Sequence, residues 1–103
     1  MAFQIVFRRD ARTEFRQAAR WYEERREGLG VRFTNAIDAE LAKIRKNPLR
    51  FTPYYGDVRR TSVPVFPYMI YFRVDGNKIR VVSIFHTSRD PVVWQKRADD
   101  EQR

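Results

Sequence analysis

The hydrophobic period of this 103-residue chain changes once, near residue 53, from the spacing of helices to the alternation of strands. Before the switch, Asp10 is placed to cap a helix running to about residue 27, with Ala11, Phe15, Ala18, Ala19 and Tyr22 along one apolar stripe. Gly28 and Gly30 supply a C-cap and a tight connection. A second helix to about residue 47 turns Phe33, Ile37, Leu41 and Ile44 inward, and Pro48 stops it. Two helices joined so briefly form an antiparallel hairpin. After the switch, residues 68–74 and 79–86 are aromatic and β-branched runs about a turn containing Asp75-Gly76, a strong β-hairpin signal. Residues 58–63 read as a preceding strand, with Pro64 and Pro67 in the turn that follows. With a strand at Phe3–Phe7, the predicted order is β-α-α-β-β-β and a short C-terminal segment. The fold class is α+β, a helix hairpin packed on a small antiparallel sheet.

Length and composition close off several alternatives. The chain suits one domain, residues 1–103, with a core over about 3–97. Hydrophobic residues at 43% and aromatics at 15% suffice for a packed interior, which excludes wholesale disorder. Without cysteine there is no disulfide scaffold, thiolate zinc site or thiol catalysis, and the lone histidine makes a metal site or cofactor unexpected. No apolar run approaches a membrane span and no signal peptide is apparent, so a soluble, cytoplasmic protein is expected.

The net charge of +8 is unusual in its make-up: 17 of the 21 cations are arginine. Guanidinium forks suit phosphate and carboxylate alike, so nucleic acid and an acidic protein both fit. Residues 49–89 hold seven cations (Arg50, Arg59, Arg60, Arg73, Lys78, Arg80 and Arg89) against Asp57 and Asp75. That excess is either a solvated sheet face or a concentrated binding surface.

Six short motifs follow one another in order: Ala18-Ala19-x-Trp21-Tyr22-Glu23, Gly30-x-x-Phe33, Ile44-x-x-x-Pro48, Val58-Arg59-Arg60, Phe66-Pro67-Tyr68-x-Ile70-Tyr71-x-Arg73, and Val82-x-x-Phe85-His86-x-x-Arg89-Asp90-Pro91-x-x-Trp94. Over roughly residues 3–97 this run resembles the RelE/ParE superfamily of bacterial type II toxin–antitoxin toxins, its ParE-like branch most closely. The resemblance implies a small basic toxin encoded with an antitoxin that wraps an acidic, partly disordered segment around it. ParE-like members are associated with poisoning DNA gyrase; RelE-like members cut mRNA on the ribosome.

Each candidate residue has a functional and a structural reading. For RNA cleavage, Arg60, Arg73 and Arg89 would stabilise phosphate charge, and His86 or Tyr71 would carry protons. No complete lysine-rich or Glu/His/Tyr catalytic set can be mapped, and arginine is a poor proton carrier, which weakens the endonuclease alternative. His86 could equally tie down the strand end by bonding to Thr87-Ser88. For partner binding, Trp21 is an aromatic anchor at the margin of the first helix's apolar stripe, or packs at the sheet edge. Arg50, Arg59, Arg60, Arg73, Arg80 and Arg89 would then meet the carboxylates of an acidic antitoxin, or the target. Trp94 reads as folding back on the sheet. Asp99-Asp100-Glu101 reads as a frayed tail, with folding over the basic sheet as the sharper alternative. The expected function is a ParE-like toxin, not itself an enzyme, with an acidic protein as first partner and nucleic acid reached through a target complex. A basic nucleic-acid-binding module ranks last, since no helix-turn-helix or stacking motif argues for it.

Overall fold

A strand at each edge of the sheet completes the architecture in a computed structural model, which describes residues 3–101. The elements are β1 (Gln4–Phe7), α1 (Arg9–Arg25), α2 (Leu29–Lys46), a 3-10 turn (Pro48–Arg50), β2 (Pro53–Tyr55), β3 (Val58–Ser62), β4 (Tyr68–Asp75), β5 (Lys78–His86) and α3 (Val92–Glu101). Strand order is β1-β5-β4-β3-β2. The α+β class and the helix hairpin on a sheet are as the sequence indicates. The sheet, however, is mixed, because β1 runs parallel to β5 from Gln4↔Lys78 to Phe7↔Val81. Alternation reports which face a residue takes, not the direction of a partner 74 positions away, so that pairing was hidden.

Alternate residues of the sheet feed two cores. Ile70, Phe72, Ile79, Val81 and Ile84 meet Ala11 and Ala18 of α1 and Phe33, Ile37, Leu41 and Ile44 of α2. On the other face Val58, Tyr71, Val82 and Phe85 bury Trp94 and Ala98 of α3. The short C-terminal segment is therefore a helix and a third layer. Trp94 is fully buried and stacks on Tyr71 at 3.9 Å between ring centroids. Far from fraying, Glu101 pairs with Arg73 at 2.6 Å and Arg8 at 3.1 Å, and Asp99 accepts a bond from the Tyr55 hydroxyl. A charge-based reading treats such residues as solvated. Here the buried guanidinium of Arg73 requires carboxylates, and Glu101 joins Asp57 in supplying them.

Helix ends also differ in detail from the pattern. The N-cap of α1 is Arg8, kept extended because its amide still donates to the Val81 carbonyl. Asp10 lies instead in the first turn, where a negative charge suits the helix dipole. Gly28, at φ +86°, is the N-cap of α2, a left-handed conformation that glycine adopts without strain. The Glu23 carboxylate accepts the amides of Gly28 (2.9 Å) and Gly30 (3.0 Å), so α1 satisfies donors that the start of α2 leaves open. Gly30 is not part of the turn but a helical residue at the hairpin's closest approach. A Cβ there would stand 2.6 Å from the Ala19 carbonyl oxygen and 2.9 Å from Glu23 Oε1.

Among the described residues no helix is long and apolar enough to cross a membrane. Gly30→Ala should destabilise the domain by about 1–3 kcal/mol through overpacking against backbone, read as a lower urea midpoint. A wild-type midpoint would mean that the two helices can separate at no cost.

Candidate functional site

A concavity lined by aromatic and polar side chains opens between α1 and the end of the sheet where β5 finishes and β4 begins. It encloses about 550 Å³. Helical spacing brings Glu14, Gln17, Ala18, Trp21 and Tyr22 to its first wall; Pro67, Tyr68, Ile84, His86, Ser88 and Arg89 form the second. Trp21 stands at the rim, 49% exposed, edge-on to Tyr22 at 5.1 Å and with the Arg25 guanidinium 4.2 Å from its ring centroid. It is not a core residue. Burial pushes the phenols of Tyr22 and Tyr68 above their ordinary value, so both remain hydrogen-bond donors at neutral pH.

At one end of the groove Glu14 organises the polar groups. One carboxylate oxygen accepts from Ser83 Oγ (2.8 Å), the Ile84 amide (3.3 Å) and Arg97 (2.9 Å). The other accepts from Arg89 (2.9 Å) and Arg97 (3.0 Å). Arg89, about half-exposed, thus presents a guanidinium already oriented by a carboxylate, with the Phe85 ring 4.7 Å beneath it.

His86 lies in this groove with its ring edge-on to Tyr68 at 5.2 Å. Its Nδ1 accepts the Ser88 amide at 3.1 Å and lies 2.8 Å from Ser88 Oγ. An amide donating to Nδ1 assigns the neutral ring's proton to Nε2 and fastens the ring to the turn.

The remaining candidates are elsewhere. Cross-strand pairing puts Arg60 beside Tyr71 on the α3 face, where its guanidinium sits 3.6 Å from the Tyr54 ring centroid. Burial pushes the Tyr71 phenol up, partly offset by Arg60, the wrong direction for a general base. Arg73, on the same face, is 7% exposed and held by Asp57 and Glu101. Desolvation opposes its charge, but those two carboxylates outweigh it and hold the guanidinium above its ordinary pKa. The five residues considered for RNA cleavage are thus divided: His86 and Arg89 line the groove, while Arg60, Tyr71 and Arg73 lie across the sheet. Arg59 donates to the Phe51 carbonyl beneath the helix side. Arg80 pairs with Asp75 at 3.2 Å, and Arg50 is exposed beside Phe51. Sequence reasoning missed Glu14, Gln17, Tyr68, Ser88 and Arg97 as groove or network residues. Only the helical offsets 14, 17 and 21 carried a signal, and nothing in the sequence ties them to residues 67–89.

Glu14→Gln keeps the shape but removes the charge facing Arg89 and Arg97, and should cost about 2–3 kcal/mol of unfolding free energy by denaturant titration. Asp10→Asn, at an exposed pair, should stay within about 0.5 kcal/mol. Equal small effects would remove Glu14 from its central place.

No curated protein sequence matches significantly. Among solved structures, the chain is similar in fold to one described as "Chromosomal ParDE TA system from P. aeruginosa", with 16% identity, a TM-score of 0.74, and coverage of 84% of this chain and 97% of that one. The sequence family described as "ParE toxin of type II toxin-antitoxin system, parDE" matches residues 5–91, from β1 to the turn before α3. With most of its length accounted for in this way, the chain belongs to the ParE toxin family of type II toxin–antitoxin systems.

Proposed function

We propose that this protein arrests growth by poisoning DNA gyrase and is silenced by a cognate acidic antitoxin that occupies the groove between α1 and the sheet. The observation that carries the antitoxin half is Trp21, half-exposed at the rim of an aromatic cleft whose far end holds the oriented Arg89. Exposed tryptophan and arginine beside an apolar cleft are the residue types that dominate interface energetics. An amphipathic segment would lay an apolar side chain between Trp21, Tyr22 and Tyr68 and direct a carboxylate to Arg89. Exposed Arg50 and Arg60 add charge for its acidic flanks, half-exposed Arg80 contributes at the margin, and Arg59 and Arg73 act by holding the sheet in shape. Steering by these charges makes association fast and salt-sensitive.

Family membership supports gyrase as the target and the cytoplasm as the place of action. The division of His86 and Arg89 from Arg60, Tyr71 and Arg73 disfavours the mRNA endonuclease alternative, which needs acid, base and phosphate-binding groups around one bond. The chain then acts as an inhibitor rather than as an enzyme.

Purified gyrase should lose supercoiling activity and accumulate cleaved DNA on adding this protein, with activity restored by the antitoxin. Discrete codon-linked cuts in translated mRNA, with gyrase unaffected, would reverse the assignment. In the antitoxin complex, Trp21→Ala should weaken binding by about 30-fold or more, the scale of a hot-spot truncation, measured by titration calorimetry. Wild-type affinity in that variant would put the antitoxin on another face.

A further inference from the structure

The cations of α1 are arranged differently from those of the sheet. Arg9, Arg12, Arg16 and Arg20 follow one another at steps of three, four and four residues, and all four are exposed. Together they form one row along about 16 Å of helix axis. The row lies about 140° around α1 from Glu14 and Trp21, on the flank away from the groove. None of the four has a carboxylate partner among the described residues. Three of the four acids of the same helix are turned elsewhere: Asp10 to Arg8 and Arg97, Glu14 to Arg89 and Arg97, and Glu23 to the amides of Gly28 and Gly30; the fourth, Glu24, stands four residues beyond Arg20, at the end of the row.

Local stability argues against such a row. Arg12, Arg16 and Arg20 are successive like charges at i, i+4, which repel on a helix surface. Arg9 and Arg12 also sit in the first turns, where the helix dipole disfavours cations. Relief comes from an extended anion. A duplex carries one phosphate per about 3.4 Å of axis on each strand, so about 16 Å of helix lies against roughly five phosphates. Guanidinium forks suit phosphate oxygens bidentately. An acidic peptide is the weaker fit, because the apolar hollow beside the row, between Phe7, Phe15 and Ala19, is bordered, among the four, by Arg12 and Arg16 alone and does not reach Arg9 or Arg20.

We infer that Arg9, Arg12, Arg16 and Arg20 form a phosphate-backbone contact through which this protein binds duplex DNA directly, without reading its sequence. The surface is separate from the groove, and the inference does not depend on the antitoxin or gyrase assignment.

Anisotropy titration of a labelled DNA duplex between 50 and 200 mM salt tests it, with Arg12→Gln/Arg16→Gln/Arg20→Gln compared against Lys46→Gln/Lys78→Gln/Lys96→Gln, which removes the same charge elsewhere. The slope of log K against log salt should be about −3.6 or steeper in the wild type and shallower by about 2.7 in the arginine variant, with about tenfold weaker binding, while the lysine variant keeps most of both. Thermal midpoints of the arginine variant should equal or exceed the wild type, since repulsion is removed. Equal losses in the two variants would assign the effect to net charge and overturn the inference. A lowered midpoint in the arginine variant would do so by making the row structural. Unchanged DNA binding with a weakened antitoxin complex would do so by making it a protein contact.

Discussion

One carboxylate holds three layers of this domain together. Because β1 ends at Phe7, the edge of β5 beyond Val81 has no strand beside it. Backbone groups left there without partners would each cost about 1–3 kcal/mol if buried. Glu14 reaches from α1 to take the Ile84 amide and the Ser83 hydroxyl, and Arg97 reaches from α3 to the Val82 carbonyl. The two side chains then close on each other through a bidentate pair. Side chains from two helices thus replace the missing part of a strand. The same contact fixes α1 against the sheet and α3 beneath it, and it orients Arg89 at the mouth of the groove.

Charge follows a comparable logic. Counted along the chain, the excess of cations belongs to the sheet half; in three dimensions much of it is consumed there. Arg73 is enclosed by Asp57 and Glu101, Arg80 meets Asp75, Arg89 meets Glu14, and Arg59 is taken up by a carbonyl. Some of the acids that neutralise them come from Glu14 and Glu101, far away in sequence. The helix segment looks nearly balanced when counted. Asp10, Glu14 and Glu23 are engaged at other surfaces, however, and Arg9, Arg12, Arg16 and Arg20 are left facing solvent. Net charge by segment is therefore a poor guide to where potential is found.

Local regularities made much of the fold legible. The stripe from Ala11 to Tyr22, the Phe33–Ile44 spacing and the Asp75-Gly76 hairpin each specify an element within a few residues of its observed bounds. Long-range consequences were not legible. The parallel β1–β5 pair joins residues 74 positions apart, and α3 follows from a partner for Arg73 and a stacking surface for Trp94, neither visible as a period. Trp21 was identifiable from its angle on the helix. The other half of its cleft was not, because Pro67, Tyr68 and Ser88 reach it only after β4 and β5 have paired. His86 was read both ways, and its bond to the Ser88 amide matches the structural one.

Two features of α1 run against what stability alone would select, and they lie on different flanks. Trp21 leaves aromatic surface in water where a polar residue would serve the helix as well, and the Arg9–Arg20 row stacks like charges from the unfavourable end of the dipole. Residues that satisfy local rules elsewhere in the same helix, such as Asp10 in the first turn and Arg25 in the last, make these departures specific rather than a general looseness of sequence. A helix already fixed by Glu14 on one side and by the Gly30 contact on the other can carry both without unfolding. Glu14 closes one end of the groove and the Gly30 contact lies beneath the arginine side, so each flank is backed by its own anchor. That independence is what a protein meeting more than one partner requires of a single helix.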